Sequence, residues 1–597
     1  MFTFEGILVI AVIFFIILSL YFNWIGPGFT FSIGISVLGV FRVLTPSEIL
    51  AGFANEQIAI VVFLILIADI IRKTGVLDGI FLKTIANTKS YKKFKFRLLV
   101  MVTGFSTILN NTPVVAIMLP YVRAWSKKNG VAPSKLLIPL SYAAILGGCV
   151  TLIGTSTNLL VAGMVNDQKI AANIEPLNIF DFTFVGGIMA VLGIAYMILF
   201  GDKLLPDRND NIHSFELQSR EYIAEVRIAN GAEYHGKTVE EAGLRNLKGL
   251  FLVEIIRNDR TIKPVSASTI LRENDILLFA GETESITEMV ESHSGLQLAQ
   301  IGMYIKKSQT AIIEAVISYN STLVSKTAKS INFRSRYDAA IIAIHRNGER
   351  VSGKLGEVKL YAGDVLLLLT GEDFVPLTKD TQDFYVISRL QEYKKQKLYK
   401  QVILLGGIIA AIILSALGFV KLFTVLLLLL LLVLGLKMVS PKDAAKSIDF
   451  NLIIILALSL SLGTAMLKSG VASSFAEIAF KAFKPFGIVG VMLGIFLITN
   501  LLTSILANPA AVAIAFPVAI SMAVELGVNA KPFALVVAFA GATAFLTPIG
   551  YQTNLMVFGP GGYKFRDFTR FGLPLSLMYM IVAVLGLIYQ YDIRLYN

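Results

Sequence analysis

Two short polar strings interrupt long apolar runs midway: Asn110-Asn111-Thr112-Pro113 and, much later, Ala507-Asn508-Pro509. Proline removes a backbone donor and disfavours helix in the residue before it, so each string marks a point where an apolar segment turns, as in a hairpin that enters and returns. Carbonyls freed there, with Asn and Thr oxygens, can replace water around a small cation, while amides at the start of a half-helix can hold an anion. Gly154-Thr155-Ser156-Thr157-Asn158 and Gly550-Tyr551-Gln552-Thr553-Asn554 break the next apolar runs in the same way. Non-helical backbone at membrane depth survives only where protein or a water-filled cavity surrounds it. Four paired breaks point to one ion-binding centre near the midplane; the plainer alternative is that their Asn and Thr only glue helices or cap kinks.

The elements that must position these breaks are membrane helices. The chain has 597 residues, 55% hydrophobic and 16% charged, with a mean hydropathy of +0.71, too apolar for a soluble protein. Its single cysteine, Cys149, excludes a disulfide framework, an iron–sulfur cluster and a multi-cysteine zinc site. His213, His235, His293 and His345 all fall in one polar stretch, so the apolar part has no imidazole for metal binding or proton relay. No nucleophile–base constellation appears, so neither an enzyme nor a cofactor is expected. The net charge of +12 fits cytoplasmic loops rather than nucleic-acid binding.

Apolar runs of about 20 residues, enough to cross a bilayer, lie near 4–22, 56–71, 180–200, 401–419, 451–467 and 571–589. Shorter or interrupted runs lie near 29–43, 96–120, 136–163, 422–436, 486–517 and 532–557. The first run lacks a basic leader and a small-residue cleavage site and reads as a retained span. Between them, 204–399 has ordinary charge density and short alternating segments. The expected organisation is a membrane block at 1–203, insert modules at 204–303 and 304–399, and a second membrane block at 400–597.

The blocks repeat each other. Thr45-Pro46-Ser47 matches Ser440-Pro441-Lys442, Lys73-Thr74-Gly75-Val76 matches Lys468-Ser469-Gly470-Val471, and STILNNTPVVAIMLP (106–120) matches TSILANPAAVAIAFP (503–517), all at offsets of 395 to 397. Pro, Gly and Asn kept in register over such a distance indicate an internal duplication. Segments 72–97 and 121–135 carry eight and four Lys/Arg, but their equivalents 468–485 and 518–531 carry three and one. The expectation is a polytopic α-helical membrane protein of two inverted five-helix repeats, with re-entrant hairpins and broken helices, and a cytoplasmic α+β insert of two tandem modules. Both termini then lie outside the cell membrane.

On these tips and loops, both membrane blocks resemble the divalent anion:sodium symporters, members of the wider ion-transporter superfamily that carry sulfate and di- or tricarboxylates. That family has a Ser-Asn-Thr tip in each half and a Gly-Thr-Pro-Pro-Asn-like loop after it; here the loops read GTSTN and GYQTN. The resemblance implies a first sodium site at Ser106, Asn110, Asn111 and Gly154, and a second at Thr503, Ala507, Asn508 and Gly550. It implies a small anionic substrate between the tips, against Asn111, Thr112, Thr157, Asn158, Asn508, Thr553 and Asn554, and an elevator mechanism in a homodimer. The second tip departs from the pattern by lacking both hydroxyls, which favours a compact oxyanion such as sulfate over a dicarboxylate. No Arg or Lys stands at the expected centre, so helix N-termini and bound cations must meet the anion's charge, which favours sodium coupling. Asp69 is an acid in an apolar run, either a coupling group or a partner of Arg72 at the interface.

The insert is itself a tandem: 225–281 and 314–371 share a strand, a short helix, a strand ending in Arg-Asn, and a turn into an apolar strand. Both copies resemble the C-terminal module of potassium-conductance regulators, TrkA-C (the RCK C-terminal module). No G-x-G-x-x-G follows a strand, so NAD is not expected. The resemblance leaves two roles open, a regulatory ligand such as a cyclic dinucleotide, or a scaffold. Alternatives to sodium symport are a proton-coupled carrier or antiporter of another ion and, in a different class, a ligand-gated channel, against which stands the lack of a repeated carbonyl filter.

Inverted repeats make a direct prediction about sidedness. A Lys128→Cys variant should react with an impermeant thiol reagent only from the cytoplasm and Asn529→Cys only from outside; labelling of both from one side contradicts inversion.

Overall fold

The computed structural model describes residues 3–593 except 23, parts of 75–87, 168–173, 209–222, 245–249, 282–295, 299–310, 387–397, 441–447 and short loop positions within the insert. In the first block α1 spans Phe4–Phe22, α2 Pro27–Val40, α3 Pro46–Leu50, α4 Glu56–Thr74, α5 Tyr91–Ser106, α6 Asn111–Asn129, α7 Leu137–Gly148, α8 Ser156–Asn166 and α9 Thr183–Leu204. In the second block α10 spans Leu398–Ala416, α11 Leu422–Gly435, α12 Phe450–Lys468, α13 Val471–Phe483, α14 Gly487–Ile505, α15 Asn508–Leu526, α16 Lys531–Ala542, α17 Gln552–Phe558 and α18 Phe565–Gln590. The start of α10 at Leu398 moves the expected boundary at 400 into a helix. The boundary near 303 and the pairing of Asp69 with Arg72 lie outside the described residues; Asp69 itself is buried.

Among the described residues seven helical segments, Val471–Ile505 taken as one, are long and apolar enough to cross a membrane, and the chain is a multi-pass helical membrane protein. Phe14, Leu428 and Leu585 face outward on their helices, as lipid-facing side chains do, while every residue of α7 and α16 is buried. A helix apolar on all sides belongs in the interior, so α7 and α16 form the centre around which the breaks are arranged.

The duplication extends from motifs to elements. Helices α6 and α15 both start at a broken tip, both contain a proline (Pro120 and Pro517), and both end on a left-handed glycine, Gly130 at φ 65 and Gly527 at φ 67. Only glycine takes that conformation without a Cβ penalty, and it stops each helix at the same point. The blocks also exchange partners: α2 packs on α12 as α11 packs on α4, and α8 packs on α15 as α17 packs on α6. Such reciprocity is the contact pattern of a two-fold relation.

The insert holds two five-stranded antiparallel sheets of the same order, β3-β2-β4-β1-β5 and β8-β7-β9-β6-β10. Their strands are β1 Ile223–Ile228, β2 Leu250–Arg257, β3 Arg260–Ile262, β4 Ile276–Gly281, β5 Leu296–Leu298, β6 Ala311–Ile317, β7 Ala339–Arg346, β8 Glu349–Arg350, β9 Val365–Thr370 and β10 Phe384–Val386. Even the bulges recur, at Leu252/Glu254 and Ile341/Ala343. In each sheet the Arg ending the second strand clamps an Asp bidentately: Arg257 on Asp275 at 2.8 and 2.7 Å, Arg346 on Asp364 at 2.8 and 2.8 Å. Removing either carboxylate strands a guanidinium against the sheet, at about 2 kcal/mol for a charged hydrogen-bonded pair. Asp275→Ala and Asp364→Ala should therefore open their modules roughly thirtyfold more often, read as faster limited proteolysis within the altered module alone; unchanged cleavage of both contradicts the clamp.

Candidate functional site

The site forms where the start of α6 meets the start of α17. Asn111 Nδ2 donates to the Tyr551 hydroxyl at 2.6 Å and Thr112 Oγ1 to Gln552 Oε1 at 3.1 Å. Ser106 Oγ donates to Asn111 Oδ1 at 2.5 Å, and Thr155 Oγ1 lies 3.3 Å from the Tyr551 hydroxyl. One hydrogen-bonded cluster thus joins the first tip, the first loop and the second loop. Gly148 admits the tip, because a Cβ there would fall 2.4 Å from Asn111 Oδ1. Both loop glycines also sit at close backbone approaches: a Cβ on Gly154 would lie 2.6 Å from Gly148 O, and one on Gly550 2.9 Å from Thr503 O.

The second tip differs. Thr503, the counterpart of Ser106, turns its hydroxyl to the Asn500 carbonyl at 2.9 Å. Asn508 is 7% exposed and its Oδ1 has no hydrogen-bond partner. A buried amide oxygen left unpaired costs its desolvation, and it is a ready ligand for a small cation. Helices α6, α8 and α15 follow Asn110, Thr155 and Ala507, none of which caps the helix with its side chain, and none of the three has an acid in its first turn. Their first-turn amides and positive dipole ends remain available to an anion.

Other expected site residues take different places. Asn158 Nδ2 donates to the carbonyls of Gly148 at 3.4 Å and Thr151 at 2.9 Å, and Asn554 Nδ2 to those of Ala544 at 2.7 Å and Thr547 at 3.1 Å. These are equivalent bonds in the two repeats, and both NH₂ groups are held by their own loops, while Asn158 Oδ1, like Asn508 Oδ1, has no hydrogen-bond partner. Ser141 Oγ donates to Thr553 Oγ1 at 2.8 Å and Asn554 Oδ1 at 2.7 Å, and the Thr157 methyl packs on α16 beside Gly541. The structure does not join Thr157, Asn158, Thr553 or Asn554 to the tip cluster. Tyr551 and Gln552, which sequence reasoning did not single out, carry the contacts across the halves. Their signal was the loop comparison: they stand where the first loop has Thr155 and Ser156, with side chains long enough to bridge.

A multi-pass helical protein with paired broken helices at a buried polar centre is of the class of secondary transporters, and the comparisons agree that this chain is a transporter and not an enzyme. The citrate transporter family (CitMHS) profile matches residues 9–495 and 409–594, and the chain belongs to that family. It is 33% identical to a putative sulfur deprivation response regulator of Chlamydomonas reinhardtii, over 91% of this chain and 94% of that one. To an uncharacterized transporter of Synechocystis sp. it is 32% identical, over 98% and 97% of the two chains. A probable sodium/sulfate cotransporter 3 of Chlamydomonas reinhardtii is 31% identical over 59% of this chain and 41% of its own length.

The two kinds of polar contact separate in experiment. Tyr551→Phe removes a hydroxyl that is free to donate to a bound oxyanion once its contact with the Asn111 amide parts; a loss of about 1–2 kcal/mol should weaken apparent substrate affinity roughly five- to thirtyfold with little change in melting temperature. Asn554→Ala should instead lower the melting temperature of the purified protein. An unshifted Asn554→Ala protein with weakened substrate affinity would reverse the two roles.

Proposed function

We propose that the chain is a sodium-coupled symporter of a divalent oxyanion, with sulfate preferred over di- and tricarboxylates. The observation that carries this reading is the asymmetry between the tips. At the first tip and second loop, amide and hydroxyl groups of Asn111, Thr112, Thr155, Tyr551 and Gln552 gather beside the uncapped starts of α6 and α8. At the second, the unpaired oxygen of Asn508 faces the need for a cation. One compact cluster of donors suits a tetrahedral oxyanion, whereas a dicarboxylate needs two such clusters held apart. The sodium/sulfate cotransporters among the relatives support the same solute pair.

On this reading sodium is held by Ser106, Asn110, Asn111 and Gly154 in the first half and by Thr503, Ala507, Asn508 and Gly550 in the second. The reciprocal packing of the two blocks supports repeats of inverted topology, with the insert and the basic loops of the first block cytoplasmic. The hairpins then move as a unit against the remaining helices, in an elevator within a homodimer. The insert sheets serve as TrkA-C-like modules.

Asn111 and Asn508 sit at equivalent tips, and each amide can offer an oxygen to a cation and an NH₂ to an oxyanion. Loss of a charge-assisted bond of roughly 1–3 kcal/mol means about five- to 150-fold weaker apparent affinity. Sodium-gradient uptake of labelled sulfate into proteoliposomes, competed by succinate and citrate, should show this loss for sulfate and sodium together in Asn111→Ala and Asn508→Ala. Unchanged affinities in both folded, inserted variants, or stronger competition by succinate than by sulfate itself, contradict the proposal.

A further inference from the structure

The second insert module is packed into the membrane block. Its residues Val316 and Val365 belong to the membrane core rather than to the module's own core, and Tyr385 packs against the same core. Strand alternation accounts for this. Along β6, Ile313, Ala315 and Ile317 face the module core, so Glu314 and Val316 emerge on the other face. There Glu314 pairs with Arg123 of α6 at 2.5 Å, each side chain only 11% exposed. The turn before β9 makes the second contact. Gly363, at φ +86, lies so near α17 that a Cβ would fall 2.8 Å from Leu555 Cδ1, and a Cβ on Gly559 would fall 2.4 Å from Val365 Cγ2.

The first module, though built on the same sheet, contributes no buried residue to the membrane core among the described residues. At the matching positions it has Arg227 for Val316 and Asn274 for Gly363. A charge and a side chain at those points remove the apolar contact and the close approach that docking uses. Glu225 stands where the second module has Glu314, but among the described residues the apolar contact and the glycine turn that complete the docking face belong to the second module.

The two helices it holds are those whose starts meet in the candidate site. Helix α6 begins at Asn111, and α17, seven residues long, runs from Gln552 to the docked end at Phe558. At 1.5 Å per residue that is about 10 Å of rigid helix between the module and the site. A substrate can enter between the first tip and the second loop only if Asn111 parts from Tyr551 and Thr112 from Gln552. The module braces both helices against that parting.

We propose that the second module is an autoinhibitory latch: docked through Glu314–Arg123 and the Gly363/Gly559 approach, it holds α6 and α17 together, and transport requires its release. The latch rests on the transport reading above. Its test is a disulfide across the docking face. The Cβ position of residue 559 lies 3.8 Å from Val365 Cβ, about the usual disulfide separation. Gly559 has φ −64, a backbone conformation open to any residue, but a Cβ there would lie 2.9 Å from the Gly363 carbonyl oxygen, so the bridge forms with a small shift of that turn and the reduced double variant is the reference for its effect; the native Cys149 is buried.

In proteoliposomes, oxidation of the Val365→Cys/Gly559→Cys protein should lower sodium-driven sulfate uptake at least tenfold, with recovery on reduction. Glu314→Gln leaves the Arg123 charge without its carboxylate in a nearly buried position, which weakens docking. Uptake by that variant should rise severalfold at unchanged KM. Equal uptake by the oxidised and reduced double variant, or a folded and inserted Glu314→Gln protein that is no faster, overturns the latch. Absence of sodium-driven sulfate uptake by both the unaltered chain and the folded Glu314→Gln protein would count against the transport reading instead.

Discussion

Backbone that leaves a helix inside a membrane must find new hydrogen-bond partners in the protein, and Asn158 and Asn554 supply them in the two repeats. Each amide spans two carbonyls of the loop that its own helix interrupts. Thr151 and Thr547 add a second tie, donating to the Thr107 carbonyl at 2.6 Å and the Ser504 carbonyl at 3.1 Å, and so join each loop to its hairpin. With the loops held this way, the starts of α8 and α17 are presented toward the tips of the opposite repeat. The polar centre exists because these bonds make a broken helix tolerable.

Upon this shared frame the repeats have diverged. Ser106 satisfies the Asn111 oxygen, while Thr503 turns away and leaves that of Asn508 unpaired. Tyr551 and Gln552 replace the short Thr155 and Ser156 of the other loop and reach across to the first tip. The two tips have thus come to differ, the first with its Asn oxygen satisfied and the second with its Asn oxygen open, a difference suited to moving an anion with a cation. On the proposed reading, hydrogen bonds and helix ends at the tips supply the anion's partners, and a bound cation carries the charge balance.

Much of this arrangement was legible in the sequence because proline and asparagine in an apolar run have few other meanings. The tips at 110–113 and 507–509, the loops at 154–158 and 550–554 and the duplication that pairs them correspond to breaks and equivalent helices in the structure. The paired insert modules were legible from their Arg-Asn and Asn-Asp or Gly-Asp turns, although their sheet order was not, since strand neighbours depend on tertiary packing. Spacing also cannot tell whether an Asn amide turns inward to its own loop, as at Asn158 and Asn554, or outward. The bridge from Asn111 to Tyr551 joins residues 440 positions apart, and no local pattern encodes it. The docking of the second module was hidden for the same reason: it depends on Gly363, Val316 and Glu314 meeting α6 and α17 in space.

The central claim is that one site binds cation and oxyanion together, and linkage tests it most directly. Sulfate binding to the purified chain, titrated calorimetrically at a series of sodium concentrations and then reversed, yields both affinities. The account predicts that sodium tightens sulfate binding by the same factor by which sulfate tightens sodium binding. Sulfate affinity independent of sodium would contradict it.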